Sequence, residues 1–201
     1  MTETNVVEIK AIGARARVGS RALAKASTHA KNLALGYIAD ALVENTDLIV
    51  EANQKDYRGA KDAGASSAIL DRLLLDAERI KGMAEGVRGI AALPDPIGQT
   101  LEGRVLPNGL RVAKRRVPLG VIGTIYESRP DVTIDIAALC IKSGNAVILR
   151  GGKEAFNSNS LLASLVRDKI EEAGIPKDAV QFIESTDRAL VGQMLGMKEH
   201  I

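Results

Sequence analysis

From Val117 onward, three short apolar runs alternate with stretches of helical period. The first run, VPLGVIGTIY over 117–126, is rich in β-branched residues and lacks the polar alternation of a half-exposed strand, so it reads as a parallel strand buried on both faces. A helix is expected over about 133–142, closing at Ser143-Gly144-Asn145, before a second buried strand at 146–149 that runs into Arg150-Gly151-Gly152-Lys153. A further helix from about 158 to 173 is ended by Gly174 and Pro176, and it leads to a third strand near 180–183 and a last helix starting near Asp187. Few folds satisfy this order. Parallel neighbours need a crossover long enough to hold a helix, so the alternation predicts an α/β chain with a doubly wound sheet and helices on both faces. Ligands of such sheets bind beyond the carboxyl ends of the strands.

The chain before Pro94 has a different period. Ala30, Leu33, Tyr37, Ile38, Ala41 and Leu42 recur at spacings of three and four, which puts them on one stripe of a long amphipathic helix. A second stripe, Ile80, Met83, Val87 and Ile90, starts after Asp76 as N-cap and stops before Pro94. Between them, 45–64 and 66–75 read as shorter helices separated by Gly64. Stripes of this kind are core faces. At LPDPIG, residues 93–98, two prolines and a glycine punctuate the chain and the period changes, marking the strongest internal boundary. Residues 100–118 then form two β-like runs around Pro107-Asn108-Gly109, which predicts a β-hairpin. Arg111, Lys114, Arg115 and Arg116 make its second strand basic, either as a solvated edge protected from aggregation by charge or as an anion site. Three segments result: a helical N-terminal segment at 1–98, the hairpin at 99–118, and an α/β part at 117–201.

Composition limits what such a chain could serve. At 201 residues it can bury its own core, and 46% hydrophobic with 26% charged residues fits neither disorder nor a membrane protein. The 27 basic residues are offset by 25 acidic ones, leaving +2 and no global field to hold a polyanion. With no Trp, two Phe and three Tyr there is little aromatic surface for stacking bases, so a nucleic-acid partner is not expected. The opening MTETNVVEIK has no basic segment followed by an apolar one, and no later stretch reaches a membrane span without charges, so a cytoplasmic protein is expected. The single cysteine, Cys140, leaves no internal disulfide and suits a reducing compartment. His29 and His200 stand far apart without metal-ligand spacing, so no metal site is expected.

Two strand ends carry candidate chemistry: Tyr126-Glu127-Ser128-Arg129-Pro130-Asp131 and Arg150-Gly151-Gly152-Lys153-Glu154. In the second, Gly151 and Gly152 let a ligand approach the backbone while Arg150 and Lys153 supply positive charge, an arrangement suited to a nucleotide 2'-phosphate. No G-x-G-x-x-G stands between strand and helix, and Gly120-x-x-Gly123 lies within a strand, where it carries no such meaning. From the residues alone this is a phosphate-binding α/β domain whose chemistry stays open.

The segment VPLGVIGTIYESRPDVTIDIAALCIKSGNAVILRGGKEAFNSN, 117–159, closely resembles the signature region of the γ-glutamyl phosphate reductase (glutamate-5-semialdehyde dehydrogenase) family of the aldehyde dehydrogenase superfamily. LDRLLLDAERIKGMAEGVRGIAALPDPIG, RVAKRRVPLG and DRALVGQMLGMKEHI resemble the same family, so the likeness covers essentially the whole chain. It implies a helical N-terminal segment and β-hairpin followed by part of a Rossmann-like parallel sheet of the aldehyde dehydrogenase type. It also implies NADPH-dependent reduction of L-glutamyl 5-phosphate to glutamate 5-semialdehyde with release of phosphate, a step of proline biosynthesis. In that family a cysteine thiolate displaces phosphate to form a thioester, and hydride then reduces the acyl carbon. The family's nucleophile belongs to a later domain, so the resemblance implies that this chain is the N-terminal half, holds no catalytic residue and is inactive alone. Cys140, set in the apolar run Ile136-Ala137-Ala138-Leu139-Cys140-Ile141, reads as an ordinary buried thiol.

By the same resemblance, Arg150 falls where the relatives' K-P-S-E motif begins with the Lys that contacts the adenosine ribose. Lys153 falls where that motif has its acidic residue. A Glu there favours the free 2'-hydroxyl of NAD, whereas a Lys accepts a 2'-phosphate, so NADPH/NADP+ is the expected cofactor, bound by Arg150, Gly151, Gly152 and Lys153. Either cation could instead be a solvated strand-end charge. Ser128, Arg129 and Asp131 stand near the superfamily's substrate or oxyanion loop, where Arg129 either binds the substrate's phosphate or carboxylate or makes a structural salt bridge. Asp131 departs from the Asn the family implies, and an anion there opposes a developing oxyanion unless it faces elsewhere. The hairpin, like those of the superfamily, is expected to join copies in a homo-oligomer. Two other readings stay open: a stand-alone nucleotide-binding module, and an assembly element acting through its hairpin.

Overall fold

A computed structural model describes the backbone of residues 3–201 and the side chains of residues 9–201; residues 1–2, part of the stretch read for a leader, lie outside the described residues. Five helices come first: α1 (Glu3–Leu23), α2 (Thr28–Glu44), α3 (Thr46–Asp62), α4 (Ser67–Leu73) and α5 (Ala77–Ala92). Their ends follow from local chemistry. The side chains of Ser27, Ser66 and Asp76 accept hydrogen bonds from the amides of Ala30, Ile69 and Arg79, capping α2, α4 and α5. Gly64, at φ 78°, makes the left-handed turn after α3. Helix α3 lies within the span 45–64 read for it and, at 17 residues, is as long as α2. Its buried positions are Ile49, Asn53, Asp56 and Ala60, and the two polar residues among them hide the apolar stripe.

The hairpin pairs β1 (Thr100–Val105) antiparallel with β2 (Arg111–Arg115), and Gly109 at φ 85° closes the turn. Every residue of both strands is exposed, and Arg111, Lys114, Arg115 and Arg116 make no ion pair among the described residues. Charge on this ribbon is solvated.

The parallel sheet has the order β3–β4–β5, with β3 (Val121–Ile125), β4 (Ala146–Arg150) and β5 (Val180–Phe182) in matched register. Helices α6 (Asp131–Lys142) and α7 (Phe156–Glu172) are the crossovers, and α8 (Ala189–Leu195) follows β5. Right-handed crossovers running in one direction share a face, and α6 and α7 pack on each other, with α2 and α5 layered over them. On the opposite face α1 packs along β3, β4 and β5 and against α8. The approach of α1 is close. A Cβ at Gly19 would come within 2.4 Å of the Ala179 amide nitrogen and the Asp178 carbonyl carbon, so only glycine fits between α1 and the short 3₁₀ turn Lys177–Ala179.

One strand differs from expectation. Residues 117–120 lie outside the sheet, with Val117 and Leu119 at 74% and 84% exposure, because Pro118 lacks a ladder donor and the chain turns at Gly120, φ 121°. The remaining strand, β3, lies at one side of the three strands described, with only Val121 fully buried. Burial on both faces is found instead at β4, where all five residues are buried at the sheet centre. Among the described residues no helix is long and apolar enough to cross a membrane.

Candidate functional site

The carboxyl ends of β3 and β4 lie side by side, since the Tyr126 amide donates to the Arg150 carbonyl at 3.1 Å. Behind them runs a polar chain. The hydroxyls of Tyr126 and Thr133 are 2.6 Å apart, and Thr133 donates to Asn159 Oδ1 at 2.9 Å. Burial pushes the Tyr126 phenol up to about 12, although the Thr133 bond pulls the other way, so Tyr126 is a neutral group here. Thr133 and Asn159 are fully buried, and Asn159 Nδ2 has no partner. That nitrogen sits against Gly151, where a Cβ would approach it to 2.2 Å. Gly152 is less constrained, since a Cβ there would meet only the movable end of the Glu154 side chain at 2.7 Å and the Glu127 backbone at 3.3 Å. The bareness of Gly151 is thus already used internally, to seat Asn159.

Arg150 and Lys153, adjacent in sequence reasoning, are placed very differently. Arg150 ends β4 at 6% exposure, donating to the Gly151 carbonyl at 2.8 Å and the Thr186 carbonyl at 3.2 Å, with its Nε unpartnered. It ties the strand end to the loop after β5. Lys153 opens the short 3₁₀ turn Lys153–Ala155, is exposed, and makes no hydrogen bond or ion pair among the described residues. A phosphate has no room at the start of α7. There Asp56 of α3 accepts from the amides of Asn157 and Ser158 at 3.1 and 2.7 Å, taking the donors that a helix N-terminus would offer an anion.

The loop 126–130 and the first turn of α6 form one wall of a cleft of about 470 Å³ through Arg129, Asp131 and Asp135; Asp71, Arg72 and Arg79 lie across it, around the α4–α5 turn. Ser128, in the same loop, is half-buried and does not line the cleft. Arg79 is already engaged: it pairs with Asp71 at 2.6 Å and donates to the carbonyls of Leu74, at 3.1 Å, and Asp71. One carboxylate oxygen of Asp131 is occluded and without a partner. Asp135 is exposed, but partial desolvation in the cleft lifts its carboxyl above the ordinary carboxylate range, and the Asp131 charge one turn away adds to the shift. The structure therefore brings Arg129 and Asp131 together and adds Arg72 and Asp135, which the sequence reading missed. Asp135 follows Asp131 by four positions, a spacing that puts both on one helical face and could have revealed it; Arg72, on a separate helix, had no such signal.

Cys140 is buried in α6 and burial pushes its thiol up to about 12. It is no nucleophile. Alkylation of the folded protein by iodoacetamide at pH 8 is expected to run at least ~100-fold slower than that of free cysteine, because little thiolate forms. Urea should restore the ordinary rate, and a fast rate in the folded state would contradict the assigned burial.

Comparison with known proteins agrees with this architecture. No protein-family model matches the chain. It is 52% identical over 199 residues to a γ-glutamyl phosphate reductase of Dehalococcoides mccartyi, covering 99% of this chain and 47% of that protein. It superposes on the crystal structure of γ-glutamyl phosphate reductase from Thermotoga maritima with a TM-score of 0.94 at 40% identity, over 96% of this chain and 47% of that one. A probable aldehyde dehydrogenase from Listeria monocytogenes shares the fold alone, with a TM-score of 0.76 at 18% identity over 97% of this chain and 40% of that one. The chain spans about half the length of the curated relatives it matches. Family and parallel sheet together support binding of a nicotinamide nucleotide in general terms. On this sequence identity and this superposition, the chain is homologous to the N-terminal half of γ-glutamyl phosphate reductases.

Proposed function

We propose that this chain is the cofactor-facing part of an enzyme that uses NADPH to reduce L-glutamyl 5-phosphate to glutamate 5-semialdehyde, releasing phosphate, in the proline biosynthesis of the cytoplasm. The observation that carries the reading is identity of 52% to a γ-glutamyl phosphate reductase across 99% of the chain. When bound, the dinucleotide supplies the hydride. The chain's own residues have other tasks. Lys153, exposed and unpartnered after β4, receives the adenosine 2'-phosphate, while Arg150 holds the strand end on which the ribose rests and the Gly151-Gly152 backbone links the two. Ser128, Arg129 and Asp131 face the substrate end. The thioester-forming cysteine lies outside these 201 residues, since the one cysteine present is Cys140, which is buried. The reading therefore implies no turnover of glutamyl phosphate by these residues alone.

The hairpin serves assembly in this proposal. A two-stranded ribbon is marginal by itself, and Leu101, Val105, Leu110 and Val112 leave it apolar and exposed, which favours cover by a second copy.

The cofactor part is tested by Lys153→Glu, which should shift preference from NADPH toward NADH. A charge-assisted bond to the 2'-phosphate contributes roughly 1.5 to 3 kcal/mol, so the ratio of the two dissociation constants should change by about tenfold or more. Glutamate repels the phosphate but accepts from a free ribose hydroxyl. Fluorescence titration of both variants with both nucleotides reads the ratio, and an unchanged ratio would mean that Lys153 stays in solvent.

A further inference from the structure

We propose that the cleft between the α4–α5 turn and the first turn of α6 holds the α-amino-acid head of the substrate, Asp131 and Asp135 taking the ammonium and Arg72 and Arg129 the carboxylate. The assignment rests on the reading that the substrate is a glutamyl compound. Its basis is an imbalance within the cleft wall. Asp131 and Asp135 are four residues apart on one helix and so share a face, where two like charges are unfavourable unless a cation joins them. The adjacent protein cation, Arg79, is saturated by Asp71 and two carbonyls. One oxygen of Asp131 is occluded with no donor, so its charge gains little from water. The side chains of Arg72 and Arg129 likewise make no hydrogen bond or ion pair among the described residues.

Charge balance selects the ligand. The cleft carries Arg72, Arg79 and Arg129 against Asp71, Asp131 and Asp135, and is neutral as a whole. A phosphoryl group would require a surplus of cations, which this wall does not offer. A zwitterion brings one charge of each sign, matching the two carboxylates and the two guanidiniums left open. Arg129 therefore takes the substrate's carboxylate and not its phosphate, and Asp131, in place of an Asn, faces an ammonium and not an oxyanion. The phosphoryl end of the substrate points away from this cleft.

The test compares L-glutamate with glutarate, which lacks the ammonium, by calorimetric titration of the protein. L-glutamate should bind about tenfold tighter, the effect of one charge-assisted contact. Asp135→Asn should remove that advantage while leaving glutarate unchanged, and Arg72→Gln should weaken both. Both side chains are exposed, so neither substitution takes packing from the core, and an unchanged urea midpoint verifies the fold. Equal affinity for the two ligands, an equal effect of Asp135→Asn on both, or no saturable binding of L-glutamate would overturn the assignment. Such results would leave the cofactor reading standing, because nucleotide preference at Lys153 is measured separately on the same protein.

Discussion

Replacing Asp56 by alanine is expected to destabilise the fold by about 3 kcal/mol or more, with α7 loosened at its start. Asp56 lies on α3 at 6% exposure, and its two oxygens accept four hydrogen bonds from one place on α7. Oδ1 receives the Asn157 amide and side chain at 3.1 and 2.7 Å, and Oδ2 receives the Ser158 amide and hydroxyl at 2.7 and 2.6 Å. A helix usually caps its free amides with its own N-cap side chain, but here that residue is Ala155, which has no oxygen to offer. The cap is supplied from another helix. Asp56→Ala strands these donors in a buried site, where each unsatisfied group costs about 1 to 3 kcal/mol. Asp56→Asn should be nearly as harmful, because its amide nitrogen would meet donors on one side. Urea unfolding reads the effect: with m near 2 to 3 kcal/mol/M, the midpoint should fall by about 1 M or more. A shift below about 0.3 M would mean that these amides find other acceptors.

The same contact bears on function. The loop 150–155, with Arg150 and Lys153, leads directly into the turn that Asp56 fixes, so α3 sets the position of the proposed cofactor edge. An anion at the start of α7 would have to displace a carboxylate already bonded there. The absence of a glycine-rich phosphate loop from the sequence and the occupied N-terminus of α7 are two aspects of one design.

Much of the fold was legible because local chemistry and global fold agree. Asp76 caps α5, Pro107-Asn108-Gly109 turns the hairpin, and Gly144 at φ 71° ends α6, all as spacing and residue type require. What sequence could not show is which neighbour lies beside an apolar run. VPLGVIGTIY reads as a strand buried on both faces, yet only its second half, β3, joins the sheet, because Pro118 and the turn at Gly120 keep the first residues out. The role of α1 was hidden for the same reason, since its cover of the sheet depends on Gly19 meeting a turn that is distant in sequence. At the candidate site, residue types pointed to a strand end but could not give side-chain direction. Arg150 and Lys153 are both cations after one strand, and only the fold turns the first inward to Thr186 and leaves the second in solvent. Asn53 has a similar history. It accepts from the Leu75 amide at 2.7 Å and donates to the Leu73 carbonyl at 2.7 Å, fixing the turn that bears Arg72, but in sequence it is only a polar break in a helix.

Asp95→Ala should cost about 3 to 5 kcal/mol, although Asp95 sits in the Pro-rich segment 93–98 that reads as a boundary. The segment is anchored. Asp95 forms an ion pair with Lys31, a side chain only 2% exposed, and accepts from the Thr28 hydroxyl at 2.8 Å and the Ile97 amide at 2.9 Å. Lys31 also donates to the Lys142 carbonyl at 3.3 Å, while Lys142 donates to Asn32 Oδ1 at 2.7 Å and the Ala91 carbonyl at 2.8 Å. Two buried ammonium groups thus depend on one carboxylate for countercharge. Removing it leaves Lys31 charged and unpaired inside the protein, which is costlier than losing an exposed pair. Burial drives the Asp95 carboxyl upward, but the bonds from Lys31, Ile97 and Thr28 outweigh it and hold the group below the ordinary carboxylate range. A carboxyl depressed in the folded state stabilises at pH values above its unfolded pKa, and that stabilisation is lost as pH falls through the folded value. The gap in unfolding midpoint between the native protein and Asp95→Asn should therefore be full at pH 7 and close progressively below about pH 4. A gap that is small at pH 7, or that does not narrow in acid, would show that Lys31 is held without Asp95 and that α2, α6 and the 93–98 segment are joined by packing alone.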